Sequence, residues 1–228
     1  MTYNIIATGS TGNAVTINDE ILIDCGVPFK TLEPYIKSLK LVLLTHVHGD
    51  HFKPSTVAAL HKARPAVRWG CCEWMVEPLL EVGVDKRVID VYELGRVYRY
   101  DGMCNLRPIG LAHNVPNCGY KIIEHKGMLE SLFYATDTGT LDGVESARNF
   151  DYYLIEANHT RAEVEARIEA KRKAGEFAYE YRAAQNHLSQ EQAMDWLAEN
   201  MGPNSKYLFL HQHKERNIEK QKDKGTGD

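Results

Sequence analysis

No run of apolar residues approaches the roughly 18 needed to span a bilayer, so no transmembrane helix is expected. The first residues, MTYNIIATGSTGN, carry neither a basic stretch nor an apolar core, so no secretory leader is expected either. Cysteine pairs at C-x-x-C spacing are missing. The five cysteines, Cys25, Cys71, Cys72, Cys104 and Cys118, are odd in number. They fit neither a disulfide framework nor a thiolate zinc finger, and free thiols in a cytoplasmic protein are the expectation. A charge excess is missing too: 27 Lys and Arg face 31 Asp and Glu, a net charge of -4. That excludes a strongly cationic nucleic-acid coat, though not a local basic patch. Phenylalanine and tryptophan are few, six and three, yet there are ten His. Composition alone does not explain that excess.

What is present describes a globular chain. At 43% hydrophobic and 25% charged residues, the 228-residue chain can bury a sizeable core in one domain. Strands are expected at Tyr3–Thr8, Ala14–Ile17, Ile21–Asp24, Leu41–Leu44, Ala66–Gly70, Arg87–Val91 and Val97–Tyr100. More are expected at Leu106–Ile109, Gly119–Glu124, Ser131–Thr136, Tyr152–Glu156 and Lys206–Leu210. Helices are expected at Thr31–Leu39, from Pro54 to Ala63, Glu73–Glu81 and Arg161–Tyr181. Another opens at Ser189, whose Gln192 completes a capping pattern. Interspersed strands and helices give an α/β layered fold. The domain is expected over residues 1–218, with 219–228 as a polar tail.

Chemistry concentrates in Thr45-His46-Val47-His48-Gly49-Asp50-His51, directly after the continuous apolar run Leu41–Leu44. His46 and His48 can grip one ion from a near-extended turn, while Asp50 and His51 face a second. Neutral imidazole and carboxylate are good zinc ligands. Four such groups do not complete two sites. His113, Asp137 and His211 each follow an apolar run, and strand ends gathered on one edge could supply the rest.

The order H-x-H-x-D-H, then His113, Asp137 and His211, resembles the metallo-β-lactamase fold hydrolases, from Gly9 to Asn217. GSTGN at 9–13, ILIDCG at 21–26, TDTG at 136–139, EANH at 156–159, NHLS at 186–189 and LHQHKERN at 210–217 look like the WalJ (YycJ) branch, akin to ribonuclease Z. The resemblance implies a single-domain, four-layer αββα sandwich with a dinuclear site along one edge. It implies two Zn²⁺ per chain, with Mn²⁺ as the alternative. His46, His48 and His113 would bind the first ion, Asp50, His51 and His211 the second, and Asp137 would bridge. His187 matches a histidine that protonates the leaving group, and Glu156 the acid that orients it. Asp50, His187 and Glu156 are thus the catalytic candidates. His159 is expected beside the ligands; His213 stands where that branch has a small hydroxyl residue, and could compete with His211 as ligand or sit beside it. Only His61 and His125 remain ordinary. The turn Gly9–Asn13 could offer backbone N–H groups to a phosphate, or be an ordinary tight turn.

The implied activity is hydrolysis of nucleotide phosphodiesters. Long nucleic acid would be expected to leave a basic track. Arg161–Arg182 instead carries six basic and five acidic residues, and Lys171-Arg172-Lys173 is a short run typical of a solvated helix face. That tilts the expectation toward a cyclic mononucleotide, the substrate of compact phage-encoded relatives of the anti-Pycsar type, which would work in the host cytoplasm. A WalJ-like DNA or RNA nuclease is the alternative, and a glyoxalase II-like thioester or lactone hydrolase a further one. Phe177, Tyr179 and Tyr181 could stack on bases or pack a helix. A homodimer is a fold-level expectation, and no membrane partner is expected.

Overall fold

The computed structural model describes residues 1–125, 127, 129–175 and 185–212. The domain boundary at 218, the tail 219–228, His213 and the three aromatics at 177, 179 and 181 lie outside the described residues.

The described residues form two six-stranded sheets that face each other. The first orders β1 (Tyr3–Ala7), β2 (Ala14–Ile17), β3 (Ile21–Ile23), β4 (Leu41–Leu43), β5 (Arg68–Cys72) and β6 (Ile89–Tyr92) as they occur in the chain. The second runs β12 (Lys206–Leu210), β11 (Tyr152–Glu156), β10 (Ser131–Ala135), β9 (Asn117–Glu124), β8 (Cys104–Leu111) and β7 (Tyr98–Tyr100). Both are mixed. β3 through β6 pair in parallel, as do β10 through β12, while the remaining neighbours are antiparallel.

The layering follows from the two-residue period of a strand. Leu41 and Leu43 point between the sheets, where they meet Tyr120, Ile122, Leu132 and Tyr134. Val42 and Leu44 point the other way, into a second cluster with Leu32, Val57, Leu60 and Leu79. Those residues come from α1 (Phe29–Leu32), α2 (Pro54–Ala63) and α3 (Val76–Glu81). On the far side, Phe133, Tyr153 and Ile155 pack on Ala193 and Leu197 of α5 (Gln190–Asn200). Three apolar clusters separate four layers, so the αββα sandwich is the observed architecture. Strands buried on both faces are the reason LVLL reads as a continuous apolar run.

Most elements fall where the sequence places them. Thr31–Leu39 does not: helix α1 covers Phe29–Leu32 and gives way to turns. Pro34 has no N–H to donate and its ring crowds the preceding turn, which ends the helix. The N-terminal part of the Arg161–Tyr181 helix is α4 (Arg161–Ala174), capped by Thr160 and Glu163 in a reciprocal box. The same box, from Ser189 and Gln192, opens α5. Among the described residues no helix is long and apolar enough to cross a membrane.

Candidate metal centre

Strand ends deliver the reactive side chains. Beyond β4 the chain enters the loop with His46, His48, Asp50 and His51. His113 lies just past β8, Asp137 just past β10, Glu156 ends β11, and His211 follows β12. His187 precedes α5. The loop 48–53 is stitched to the segment after β3. Cys25 N–H donates to the His51 carbonyl at 2.8 Å, Lys53 N–H to Cys25 at 3.2 Å, and Asn13 N–H to Asp50 at 2.6 Å. Asp24, Asp137 and His211 hold φ of 63°, 55° and 51°. That left-handed region is adopted readily only by glycine and short polar residues, and here it turns a strand end sharply into the site.

Donor atoms converge on Asp137. Its Oδ2 lies 3.3 Å from His46 Nε2, 3.1 Å from His51 Nε2 and 3.9 Å from His113 Nε2. His48 Nδ1 lies 3.1 Å from His46 Nε2 and 3.2 Å from His113 Nε2. On the other side, His211 Nε2 is 3.5 Å from Asp50 Oδ2, and His211 Nδ1 is 2.9 Å from Asp137 Oδ1. Two sets result, His46-His48-His113-Asp137 and Asp50-His51-Asp137-His211, and they share Asp137. Ligands about 2.0–2.1 Å from a tetrahedral zinc sit roughly 3.3 Å from one another, close to several of these separations. A third set, Asp137-Glu156-His187-His211, adjoins them.

The outward nitrogens are fastened. His51 Nδ1 pairs with Asp24 Oδ2 at 2.7 Å. His46 Nδ1 meets Thr45 Oγ1 at 2.9 Å, and that hydroxyl donates to Asp24 Oδ2 at 3.0 Å. His113 Nδ1 donates to the Asn186 carbonyl at 3.2 Å. Three imidazoles are thereby held with Nε2 facing Asp137, the arrangement that orients a metal-binding histidine. Trp74 Nε1 donates to the Thr45 carbonyl at 3.1 Å and steadies the loop from the helical side.

Electrostatics describe a cluster that wants cations. Burial opposes ionisation of Asp137, but His51, His211 and His46 outweigh it and hold the carboxyl well below its ordinary value. Burial also opposes charge on His51, yet Asp137 and Asp24 lift it to about 10. His211 is likewise raised against burial by Asp137, Asp50 and Glu156. Burial pushes His113 down to about 4, and burial with neighbouring His46 lowers His48. Neutral imidazole is the form that binds metal. His211 Nε2 faces Asp50 Oδ2 at 3.5 Å, an acidic setting in which a cation can take the place of the imidazole proton. The donor set therefore fits divalent ions. One contact opposes this: Asn13 Nδ2 lies 2.8 Å from His51 Nε2 and would have to yield that lone pair.

His187 Nδ1 donates to Glu156 Oε1 at 2.5 Å and lies 3.9 Å from Asp137 Oδ1. Burial disfavours its charge, but Glu156 raises its pKa above the ordinary value. Glu156 is fully buried and kept ionised by His187 and His211.

All nine site residues read from the sequence meet here. Sequence reasoning missed Asp24 and Thr45, although ILIDCG had singled out the strand end that carries Asp24. The turn Gly9–Asn13 differs from the phosphate-cradle expectation. Gly9 N–H donates to Asn13 Oδ1 at 3.0 Å, while Gly12 and Asn13 donate to the Gly9 and Asp50 carbonyls. Three of its donors are committed to the fold, so it braces the ligand loop. His159 pairs through its backbone with Ser189, tying the end of β11 to the start of α5.

A four-layer αββα sandwich with a His/Asp cluster on its strand ends is the setting of a metallo-β-lactamase fold hydrolase. The Beta-lactamase superfamily domain matches residues 19–211, and the chain belongs to that superfamily. Among curated proteins it is similar to an exodeoxyribonuclease YycJ of Bacillus anthracis, 25% identical over 175 residues. That match spans 69% of this chain and 62% of the relative. The human short-form tRNase Z shares the fold at a TM-score of 0.67 and 17% identity, over 95% of this chain and 94% of that one. A Zn²⁺-bound PqqB from Methylobacterium extorquens does so at 0.68 and 11%, over 97% and 95%.

Proposed function

We propose that this protein is a dinuclear, divalent-metal-dependent phosphodiesterase acting on nucleotide phosphodiesters. The observation that carries the reading is Asp137 lying between two ligand sets, with the His187–Glu156 pair beside it. His46, His48 and His113 would hold one ion, Asp50, His51 and His211 the other, and Asp137 both. Zn²⁺ suits the imidazole-rich set, with Mn²⁺ as the alternative. Two bound ions would supply an activated water and neutralise charge growing on phosphorus oxygens.

The chain's own residues do the rest. Glu156 keeps His187 protonated and fixes its ring, so that His187 can give a proton to the departing oxygen. The His187 side chain is 19% exposed, enough to recover a proton from solvent. A thioester hydrolase has less need of a protonated imidazole here, since a thiolate leaves without taking up a proton.

The net charge of -4 favours a small phosphodiester, and a cyclic mononucleotide is the substrate we propose first. Similarity to an exodeoxyribonuclease favours a DNA end. Incubating metal-loaded protein with cyclic mononucleotides, single-stranded DNA, RNA and a glutathione thioester separates these. Cleavage of nucleic acid alone would overturn the cyclic-nucleotide preference. Cleavage of the thioester alone would overturn the phosphodiesterase reading. Metal analysis is expected to give two ions per chain.

A further inference from the structure

On the outer face of the second sheet, α5 packs with residues of β10 and β11, and Ile109 of β8 joins the same cluster. Away from Ile109, the outward side chains of β8 and β9 are Asn105, Arg107, Lys121 and Ile123. Arg107 and Lys121 stand directly opposite each other in the antiparallel register, as do Asn105 and Ile123. Like charges at opposed positions are destabilising. Among the described residues neither cation forms an ion pair, and Lys121, only 6% exposed, donates to the neutral carbonyl of Glu145. Beside them lies a cavity of about 330 Å³, walled by Val97, Ile123 and Phe150 and lined by Asn105, Arg107 and Lys121. Val97 and Ile123 are 52% and 41% exposed and give the cavity an apolar wall. The Asn105 Oδ1 atom is buried with no hydrogen-bond partner.

Two cations opposed in register, the Asn105 amide and apolar walls line one cavity of ligand size. We infer that this cavity binds a single nucleoside monophosphate. Its phosphate lies on Arg107 and Lys121, and its base against Ile123, Val97 and Phe150 beside the Asn105 amide. Arg matches a phosphate bidentately and Lys adds a point charge. The adjoining cavity shares Arg107 and Lys121 but brings Asp142 and Glu145. At about 330 Å³ the proposed cavity has room for one nucleotide and not for a strand. Choosing a nucleotide over another amphipathic anion rests on the phosphodiesterase reading, because such a monophosphate is what that reaction releases. Arg107 lies six residues before His113, about 20 Å along an extended strand, so the site is separate from the metal centre.

Calorimetric titration of adenosine monophosphate into the full, chelator-treated chain tests this without contribution from bound metal. One equivalent is expected to bind. Arg107→Glu and Asn105→Leu are each expected to weaken it at least tenfold, with thermal melts close to wild type. Adenosine and inorganic phosphate alone are expected to bind more weakly than the intact nucleotide. No binding by wild type, or binding that both folded variants retain in full, overturns the proposal. Phosphodiester cleavage without this binding sinks the site alone, whereas binding without any phosphodiester cleavage sinks the activity alone and leaves the site standing.

Discussion

Asp24 touches no substrate, yet one carboxylate orients two imidazoles: His51 directly and His46 through the Thr45 hydroxyl. Asp24→Asn keeps the shape and loses the charge. It is expected to weaken metal binding by roughly 10–100-fold, read by competition with a chromophoric chelator. His187→Ala is expected to lower kcat by about 10²–10⁴ with metal content unchanged, and loss of metal would make His187 structural. The cysteines give a different test. Burial pushes Cys71 and Cys104 up to about 12 and raises Cys25 and Cys118 further. Thiolate is the reactive form, so a colorimetric thiol reagent at pH 8 is expected to react slowly with native protein. Five thiols should titrate after unfolding. At this scale the sequence was legible where ligands are adjacent, as in His46–His51. It was silent on Asp24, whose partner His51 lies 27 residues away, because nothing local tells a buried bracing carboxylate from a turn residue.

Elements meet at places where no side chain fits. A Cβ on Gly26 would overlap the Asp50 carbonyl, and one on Gly139 would overlap the Gln185 carbonyl. Gly26 thus lets the segment after β3 lie against the ligand loop, and Gly139 lets the chain before His187 close on the turn after Asp137. In both cases the obstacle is backbone, which cannot rotate away. Gly26→Ala is expected to cost roughly 3 kcal/mol or more in urea unfolding and to impair metal uptake. Both glycines sit in strings noted in the sequence, ILIDCG and TDTG, but the close approach is a tertiary fact. The strands were legible because Leu41–Leu44 and Phe133–Ala135 are apolar on both faces. The Thr31–Leu39 helix was misread because Pro34 outweighed the apolar spacing of its neighbours.

For the whole molecule, the proposed ligands come from both halves of the sandwich. His46, His48, Asp50 and His51 leave the first sheet, whereas His113, Asp137 and His211 leave the second. Bound ions would therefore clamp one sheet to the other. At a hundredfold excess over its dissociation constant, one ion stabilises the folded state by about 2.7 kcal/mol. Chelation is expected to lower the melting temperature by roughly 5–10 °C, and zinc to restore it. An unchanged melt would argue against ions at these positions. The layer architecture was legible from alternating strand patterns. The pairing of each ligand with its site came from family resemblance, because strand order, which decides which loops are neighbours, leaves no local trace.

The spread of these residues along the chain also sets a timetable. The set His46-His48-His113-Asp137 is present once residue 137 has been made, but the set with Asp50 and His51 waits for His211 at the end of β12. On a ribosome the first ion could settle while the last strand is still being synthesised. The second could enter only after β12 has docked beside β11. If ions occupy both sets, full loading would double as a completion signal for the sandwich, and a chain stopped between those two points would hold only the first set of ligands.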